Sequence, residues 1–442
     1  MIYRLFLLLP AVMTVASCSS SRFIAKSAKQ ELLNNEGLKT AHVGISIYEP
    51  ATGRYWYNYQ GDKYFVPASN TKLPTCYAAM KYLGDSLVAA RVAVTEKNVL
   101  SVFPSGDPTL LNPEFAYQPL FTTMKQYRQI RVYENQWKEQ RWGNGWAWND
   151  YDASYMAERS MLPIYRNVVQ FEVHNDTLKT TPRKVSVSAS QGLSINAQTG
   201  IMSSKRFVIS RELNDNDFIL SPSDNSFSST SVPLRTDLGL VCDILEDTLR
   251  SEVVPSLIAD GYNLNAQKTI IHSQPTDSLL RPMMHRSDNF FAEQSLLMVS
   301  NELLGEMSDA KIIDTLLKTD FKNLPQKPRW VDGSGLSRYN LFTPQDFVFI
   351  LNKMRTDFGM PRIKNILPTG NTGTLEGRFV ADSNYIFAKT GTLSGVVSLS
   401  GFLYTKENKL LIFSVLVNNH NASASSIRKG VERFIEGIRN QY

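Results

Sequence analysis

Cysteine is nearly missing from this chain, with three in 442 residues at positions 18, 76 and 242. A disulfide framework is therefore excluded as the organising device: Cys18 follows a leader-like start, and Cys76 and Cys242 lie in apolar, helix-like stretches where a buried thiol is expected. Histidine is also scarce, at five residues, and neither a CxxC nor an HExxH pattern occurs. A metal-centred mechanism has no ligand set to stand on, and no cofactor is expected. No long basic tail accompanies the formal charge of +6. An excess this small is ordinary solvated surface rather than a nucleic-acid footprint, and at most favours an anionic substrate or cell-surface polymer. Repeats and heptads are absent, and with 43% hydrophobic residues the chain can bury a large core in two or more domains.

The one long apolar run opens the chain. Arg4 precedes the run from Leu5 to Val12, and Val15-Ala16-Ser17 stands directly before Cys18. Residues 1–17 have the form of a secretory leader, too short for a lasting transmembrane helix. Val-Ala-Ser-Cys also matches the signal of bacterial lipoproteins, in which the cysteine becomes the lipidated first residue. The expectation is a periplasmic or envelope protein whose only membrane attachment is a lipid on Cys18.

Periodicity gives the organisation. Residues 42–49 alternate as a strand, 50–53 turn, and 54–59 return as an aromatic strand. From Ser69 to Leu83, apolar residues recur at helical spacing, and Pro74 is tolerated near the helix start. At the other end, 384–390, 395–403 and 409–418 are strands with short turns, followed by an amphipathic helix over 424–437. Such a run predicts an antiparallel sheet covered by helices. Between these flanks, 96–265 turns to short strand-like pieces and Asn/Ser/Pro/Gly turns, with an exposed loop over 221–230. The fold class expected is α+β: a catalytic domain from 22–95 and 266–442, with a large β-rich insert over 96–265.

Three polar clusters then appear in order: Ser69-Asn70-Thr71-Lys72, Ser287-Asp288-Asn289 and Lys389-Thr390-Gly391. A serine hydroxyl is a weak nucleophile at neutral pH, and a lysine serves as its base only when desolvation or a second cation lowers its proton affinity. Ser69 and Lys72, three apart at a helix start, face one way. Lys389 in the same cleft would press on Lys72 and attract a substrate carboxylate. Ser287 can relay a proton toward a leaving amine, and Asn289 can orient Lys72 and an amide carbonyl. Gly391 permits close backbone approach, and the next N–H, at Thr392, could join that of Ser69 in holding an oxyanion. Rival matches exist. Ser426-Ile427-Arg428-Lys429 repeats SxxK, but on the closing helix and after Lys389; Ser223-Asp224-Asn225 repeats the second cluster, but in a serine-rich loop without the helix that follows Asn289.

The ordered string resembles the penicillin-binding D-alanyl-D-alanine carboxypeptidases and endopeptidases of peptidase family S13, the class C low-molecular-mass type, from about residue 40 to the C-terminus. It extends to Pro67-Ala68 before Ser69, Gly106-Asp107-Pro108, Ala292-Glu293, Asp332-Gly333-Ser334-Gly335-Leu336-Ser337, and Gly373-Thr374-Leu375 ahead of Arg378. The resemblance implies a transpeptidase/β-lactamase-like catalytic domain carrying a long insert. It also implies an acyl-enzyme on Ser69, Lys72 as base, Ser287 and Asn289 as the second element, and Lys389 and Thr390 binding the terminal carboxylate. Peptidoglycan stem peptides would be the substrate, and β-lactams covalent inhibitors. A β-lactamase is the alternative, disfavoured because no deacylating carboxylate loop follows Asn289; a silent wall-binding protein would be expected to have lost a serine or lysine.

Other residues have blander roles. Asp332-Gly333-Ser334-Gly335 is a tight turn bordering the cleft, Glu293 a supporting helix residue, and His285 and His420 packed or solvated side chains. The tryptophans over 137–150 could form a glycan-stacking surface but fit ordinary packing.

Overall fold

The computed structural model describes residues 21–134, 137–196, 200–257 and 267–442, so residues 1–17 and Cys18 lie outside the described residues. β1 (His42–Glu49) and β2 (Arg54–Tyr59) form the expected aromatic hairpin. A tight 3-10 turn, Ala68–Thr71, runs into α1 (Lys72–Tyr82). Pro74 is the third residue of α1, where no intrahelical bond needs its missing N–H. Next come β3 (Ser86–Val94), β4 (Leu100–Pro104), α2 (Pro119–Met124) and β5 (Gln129–Tyr133). A run of short strands follows: β6 (Val168–His174), β7 (Thr177–Thr181), β8 (Ser186–Ala189), β9 (Phe207–Arg211), β10 (Asp217–Pro222) and β11 (Ser229–Pro233). After these lie α3 (Leu238–Leu249), β12 (Glu252–Ser256), β13 (Thr269–Pro275), α4 (Thr276–His285), α5 (Asn289–Leu304), α6 (Asp309–Lys318) and α7 (Pro344–Ile366). The chain closes with β14 (Ile386–Leu393), β15 (Val396–Tyr404), β16 (Leu410–Asn418) and α8 (Ala424–Gln441).

Two compact units result, one from residues up to 77, 280–287 and 313–442, the other from 78–279 and 288–312. In the first, an antiparallel five-stranded sheet has the order β14-β15-β16-β1-β2, with β14 at an edge. Strand alternation sorts its side chains. Val43, Ile45, Ile47, Val397, Leu399, Val415 and Val417 share one core with Ile427, Val431, Phe434, Ile435 and Ile438 of α8. These helix positions recur every three or four residues, the spacing that makes one apolar stripe, and Ser423 caps the helix by accepting from Ser426 N. α7 packs on the opposite face, against β16, β1 and β15, so the sheet is covered on both sides. That second face carries a polar strip, Ser398, Ser400 and Ser414, all buried. The strip receives the turn before α1.

The second unit holds a mixed five-stranded sheet, β12-β5-β4-β3-β13, in which β4, β5 and β12 run parallel to one another and β3 antiparallel to β4, and two three-stranded sheets, β11-β6-β7 and β8-β10-β9. β3 pairs with β13, and both lie outside 96–265, so this unit is wider than that span. Parallel pairing at β4, β5 and β12 requires crossovers and departs from a purely antiparallel texture. α5 is buried along nearly its whole length, polar residues such as Glu293, Gln294 and Ser300 included, so these must find partners inside the unit. Asp107 anchors the start of the unit: buried, it accepts from Thr109 N at 2.9 Å and from the Ser273 hydroxyl, and Gln294 Nε2 donates to Gly106 O at 2.8 Å. The tryptophan stretch divides: Trp142 and Trp146 lie against the Arg141 and Arg159 guanidiniums, at 4.0 and 5.8 Å, whereas Trp148 is exposed. Cys76 and Cys242 are free and buried, and burial pushes the Cys242 thiol up to about 12. Among the described residues no helix is long and apolar enough to cross a membrane, and no cluster of His, Cys, Asp and Glu could hold a metal ion.

Candidate active site

In the first unit, Ser69 stands in the 3-10 turn and Lys72 at the first position of α1. The Lys72 Nζ donates to Ser69 Oγ at 3.0 Å and to the Ser334 carbonyl at 2.7 Å. Ala68, directly before the serine, has φ +48, in a region that a residue with a Cβ enters only at a cost. What holds it there is the surrounding polar frame. Thr71 Oγ1 bonds Ala68 O at 2.9 Å, Asn70 Nδ2 bonds Ser400 Oγ at 2.7 Å, and Ser398 Oγ bonds Pro67 O at 2.7 Å. The Ser69 turn is thus held to the polar strip of β15.

The edge strand β14 brings the third cluster to the same turn. A Cβ on Gly391 would lie 2.1 Å from Ser398 Oγ, 2.8 Å from Pro67 O and 3.0 Å from Ser69 N, so the absence of a side chain is what lets strand and turn meet. Lys389 is fully buried, and its Nζ donates to Ser287 Oγ at 2.9 Å and to Thr390 O at 2.8 Å. Burial first, and then the neighbouring Lys72 cation, hold the Lys389 proton affinity well below that of an ordinary lysine. Ser287 has φ +60, a second backbone outlier at a clustered polar group. His285 is half-buried and packed; burial, then Arg281, then Lys389 lower its proton affinity.

The turn Asp332-Gly333-Ser334-Gly335 enters through its backbone. Asp332 accepts from Gly335 N at 2.8 Å, Ser337 N at 2.7 Å and Asn340 Nδ2 at 2.7 Å. Gly335 has φ +85, and a Cβ there would strike Ala68 O at 2.0 Å. Thr75 Oγ1 takes the Gly333 carbonyl at 2.7 Å, and the Ser334 carbonyl holds Lys72. Sequence reasoning put this turn beside the cleft but missed that its carbonyl positions the lysine; every residue has a carbonyl, so no residue type signals it.

Of the residues named from sequence, Ser69, Lys72, Ser287, Lys389, Thr390 and Gly391 are brought together in the first unit. Thr392 lies on the same strand, exposed, its Oγ1 accepting from Arg428 Nη2 at 2.8 Å. Asn289 belongs to the second unit. It opens α5 behind the cap Asp288, which accepts from Phe291 N at 3.0 Å and pairs with Arg166, and its own Nδ2 donates to Tyr155 O at 2.9 Å. Glu293, one turn further along α5, is buried with its carboxylate 3.6 Å from Arg159, a supporting position rather than a water-activating one. The rival Ser223-Asp224-Asn225 forms an exposed turn of its own, Ser223 Oγ accepting from Asn225 N at 3.2 Å. Ser426 and Lys429 are exposed on α8.

A half-buried serine on a buried lysine, beside a second such Ser–Lys pair, is an arrangement suited to acyl transfer. The chain is 27% identical over 439 residues to a D-alanyl-D-alanine carboxypeptidase of Actinomadura sp., covering 89% of this chain and 80% of the relative. It is 22% identical over 420 residues to D-alanyl-D-alanine carboxypeptidase DacB of Haemophilus influenzae, covering 87% of each. The fold is similar to the crystal structure of penicillin binding protein 4 (dacB) from Haemophilus influenzae, with a TM-score of 0.71, 20% identity, and coverage of 95% of this chain and 98% of that one. With residues 25–437 matching its pattern, the chain belongs to the D-Ala-D-Ala carboxypeptidase 3 (S13) family.

Proposed function

We propose that this protein is a serine D-alanyl-D-alanine carboxypeptidase of the cell envelope, acting on peptidoglycan stem peptides through an acyl-enzyme on Ser69. The observation that carries it is the 3.0 Å bond between Lys72 Nζ and Ser69 Oγ, with Lys72 and Lys389 both fully buried. Repulsion between two desolvated ammonium groups is mutual, so the pair gives up one proton readily, and Lys72, in contact with Ser69 Oγ, is taken as the neutral amine. Ser69 Oγ attacks the carbonyl carbon of the penultimate D-Ala, and its proton passes to Lys72 Nζ. The N–H groups of Ser69 and Thr392 receive the oxyanion. Collapse breaks the C–N bond, Ser287 Oγ gives its proton to the leaving amine, and Lys389 replaces that proton. Lys72 then passes the proton it took from Ser69 to Lys389, returning to the neutral amine, and serves as base for the water that attacks the ester, releasing the shortened peptide and restoring Ser69.

In the same reading Thr390, with Lys389 behind it, binds the terminal carboxylate. β-Lactams enter by the first step and stop at the acyl-enzyme. Cleavage of D-Ala cross-links uses the same chemistry with a larger leaving amine. The Val15-Ala16-Ser17-Cys18 signal supports a lipid on Cys18 as the tether to the membrane. Incubating the leaderless protein with a peptide ending in D-Ala-D-Ala should release free D-Ala, and Ser69→Ala should abolish release while the protein melts as wild type does. Equal release by both proteins would refute Ser69 as nucleophile.

A further inference from the structure

We infer that Arg428, acting through the Thr392 hydroxyl, is a positioning residue for the carboxylate of the acyl donor. This rests on the serine-peptidase reading above and goes beyond it, since none of the three polar clusters assigned to the site includes Arg428. Arg428 lies on the second turn of α8, and its Nη2 donates to Thr392 Oγ1 at 2.8 Å. A hydroxyl has one proton, so an oxygen that accepts from a guanidinium keeps its O–H to donate elsewhere. Residues two apart on a strand share a face. Thr390 and Thr392 therefore offer their hydroxyls on one side of β14, and the Thr392 hydroxyl is polarised by a permanent cation.

Lys389, which stands behind Thr390 in the reading above, does not meet the carboxylate alone. Lys389 is fully buried and spends donors on Ser287 Oγ and Thr390 O, and burial and Lys72 both work against its charge. Arg428 is only half-buried, and among the described residues no carboxylate pairs with its guanidinium. Its backbone is held from beneath: Arg378 Nη2 donates to Arg428 O at 3.5 Å, and Arg378 Nε lies 3.5 Å from Glu432. The guanidinium sits at the strand end on the Thr392 hydroxyl, with no carboxylate paired to it among the described residues. A carboxylate arriving at the Thr390 and Thr392 hydroxyls would supply that partner.

The test compares acylation of the leaderless protein by benzylpenicillin and by its methyl ester, which keeps the reactive ring and removes the negative charge. Arg428→Gln should slow acylation by benzylpenicillin about ten- to hundredfold, the worth of one charge-assisted hydrogen bond, and leave the ester rate within about twofold. Arg428→Lys should recover part of the loss, and Arg428→Gln with Thr392→Val should be no slower than the slower single variant. Equal slowing of both probes would make Arg428 merely structural, and no change with either would remove it from binding; both overturn the inference. Failure of the wild-type protein to acylate with either probe would instead refute the serine-peptidase reading, and the inference would fall with it.

Discussion

Gly391→Ala tests how the site is assembled without touching any reactive group. The new methyl would sit 2.1 Å from Ser398 Oγ, which can rotate away, and 2.8 and 3.0 Å from Pro67 O and Ser69 N, which are backbone. Ordinary contact begins at 3.4 Å, so strand β14 and the nucleophile turn must part by roughly 0.4 to 0.6 Å. A displacement of about 1 Å in a catalytic group costs on the order of 10²-fold in rate. Half that displacement predicts a loss of about tenfold, or ~1.4 kcal/mol of barrier. Stopped-flow acylation by a chromogenic cephalosporin gives the rate constant, and a thermal melt shows whether the sheet survives. A rate within twofold of wild type would refute the claim that Gly391 sets the spacing of strand and turn. A melt that collapses along with the rate would put the cost in the fold rather than in the site.

Lys72→Met removes the base but keeps the buried volume; acylation should fall at least 10²- to 10⁴-fold with the protein still folded, and a normal rate would remove Lys72 from the mechanism. Asp332→Asn trades one acceptor of the turn for a donor, leaving buried N–H groups unmatched. A stability loss of about 1–3 kcal/mol should accompany slower acylation, because the Ser334 carbonyl that holds Lys72 is displaced; unchanged acylation in a destabilised variant would contradict that link. Asp107 has its carboxyl pushed up to about 6 by burial, so the folded state binds this proton more tightly than the unfolded chain does. Its favourable contribution is present at low pH and is lost as pH rises through the window from about 4 to about 6. The melting temperature of Asp107→Asn should therefore improve relative to wild type as pH rises from 4 to 7, and a difference that stays constant would show that Asp107 does not titrate there.

What was legible in the chain was what is coded locally. The hairpin 42–49 and 54–59 and the closing helix start where alternation and periodicity put them. The strand expected over 384–390 forms, but runs from Ile386 on to Leu393 and lies at the edge of its sheet. Ser69 does not begin an α-helix: Pro67 and the tight bonds of residues 68–71 impose a 3-10 turn first, and this turn aims the hydroxyl back at Lys72. Less legible was whatever depends on distant pairing. The union of β3 with β13 could not be read from either strand, because neither short segment carries a mark of its partner. The Ser334 carbonyl and the Thr392–Arg428 bond were hidden for a related reason, since a backbone group or a surface arginine carries no motif until the fold supplies its neighbour.

The most direct test of the account is mass spectrometry of the leaderless protein after incubation with a penicillin, beside Ser69→Ala. The account predicts a stable penicilloyl adduct on the peptide containing Ser69, and none on the variant. An intact drug with no adduct would contradict the acyl-enzyme outright, and hydrolysed drug without an adduct would make the protein a β-lactamase instead.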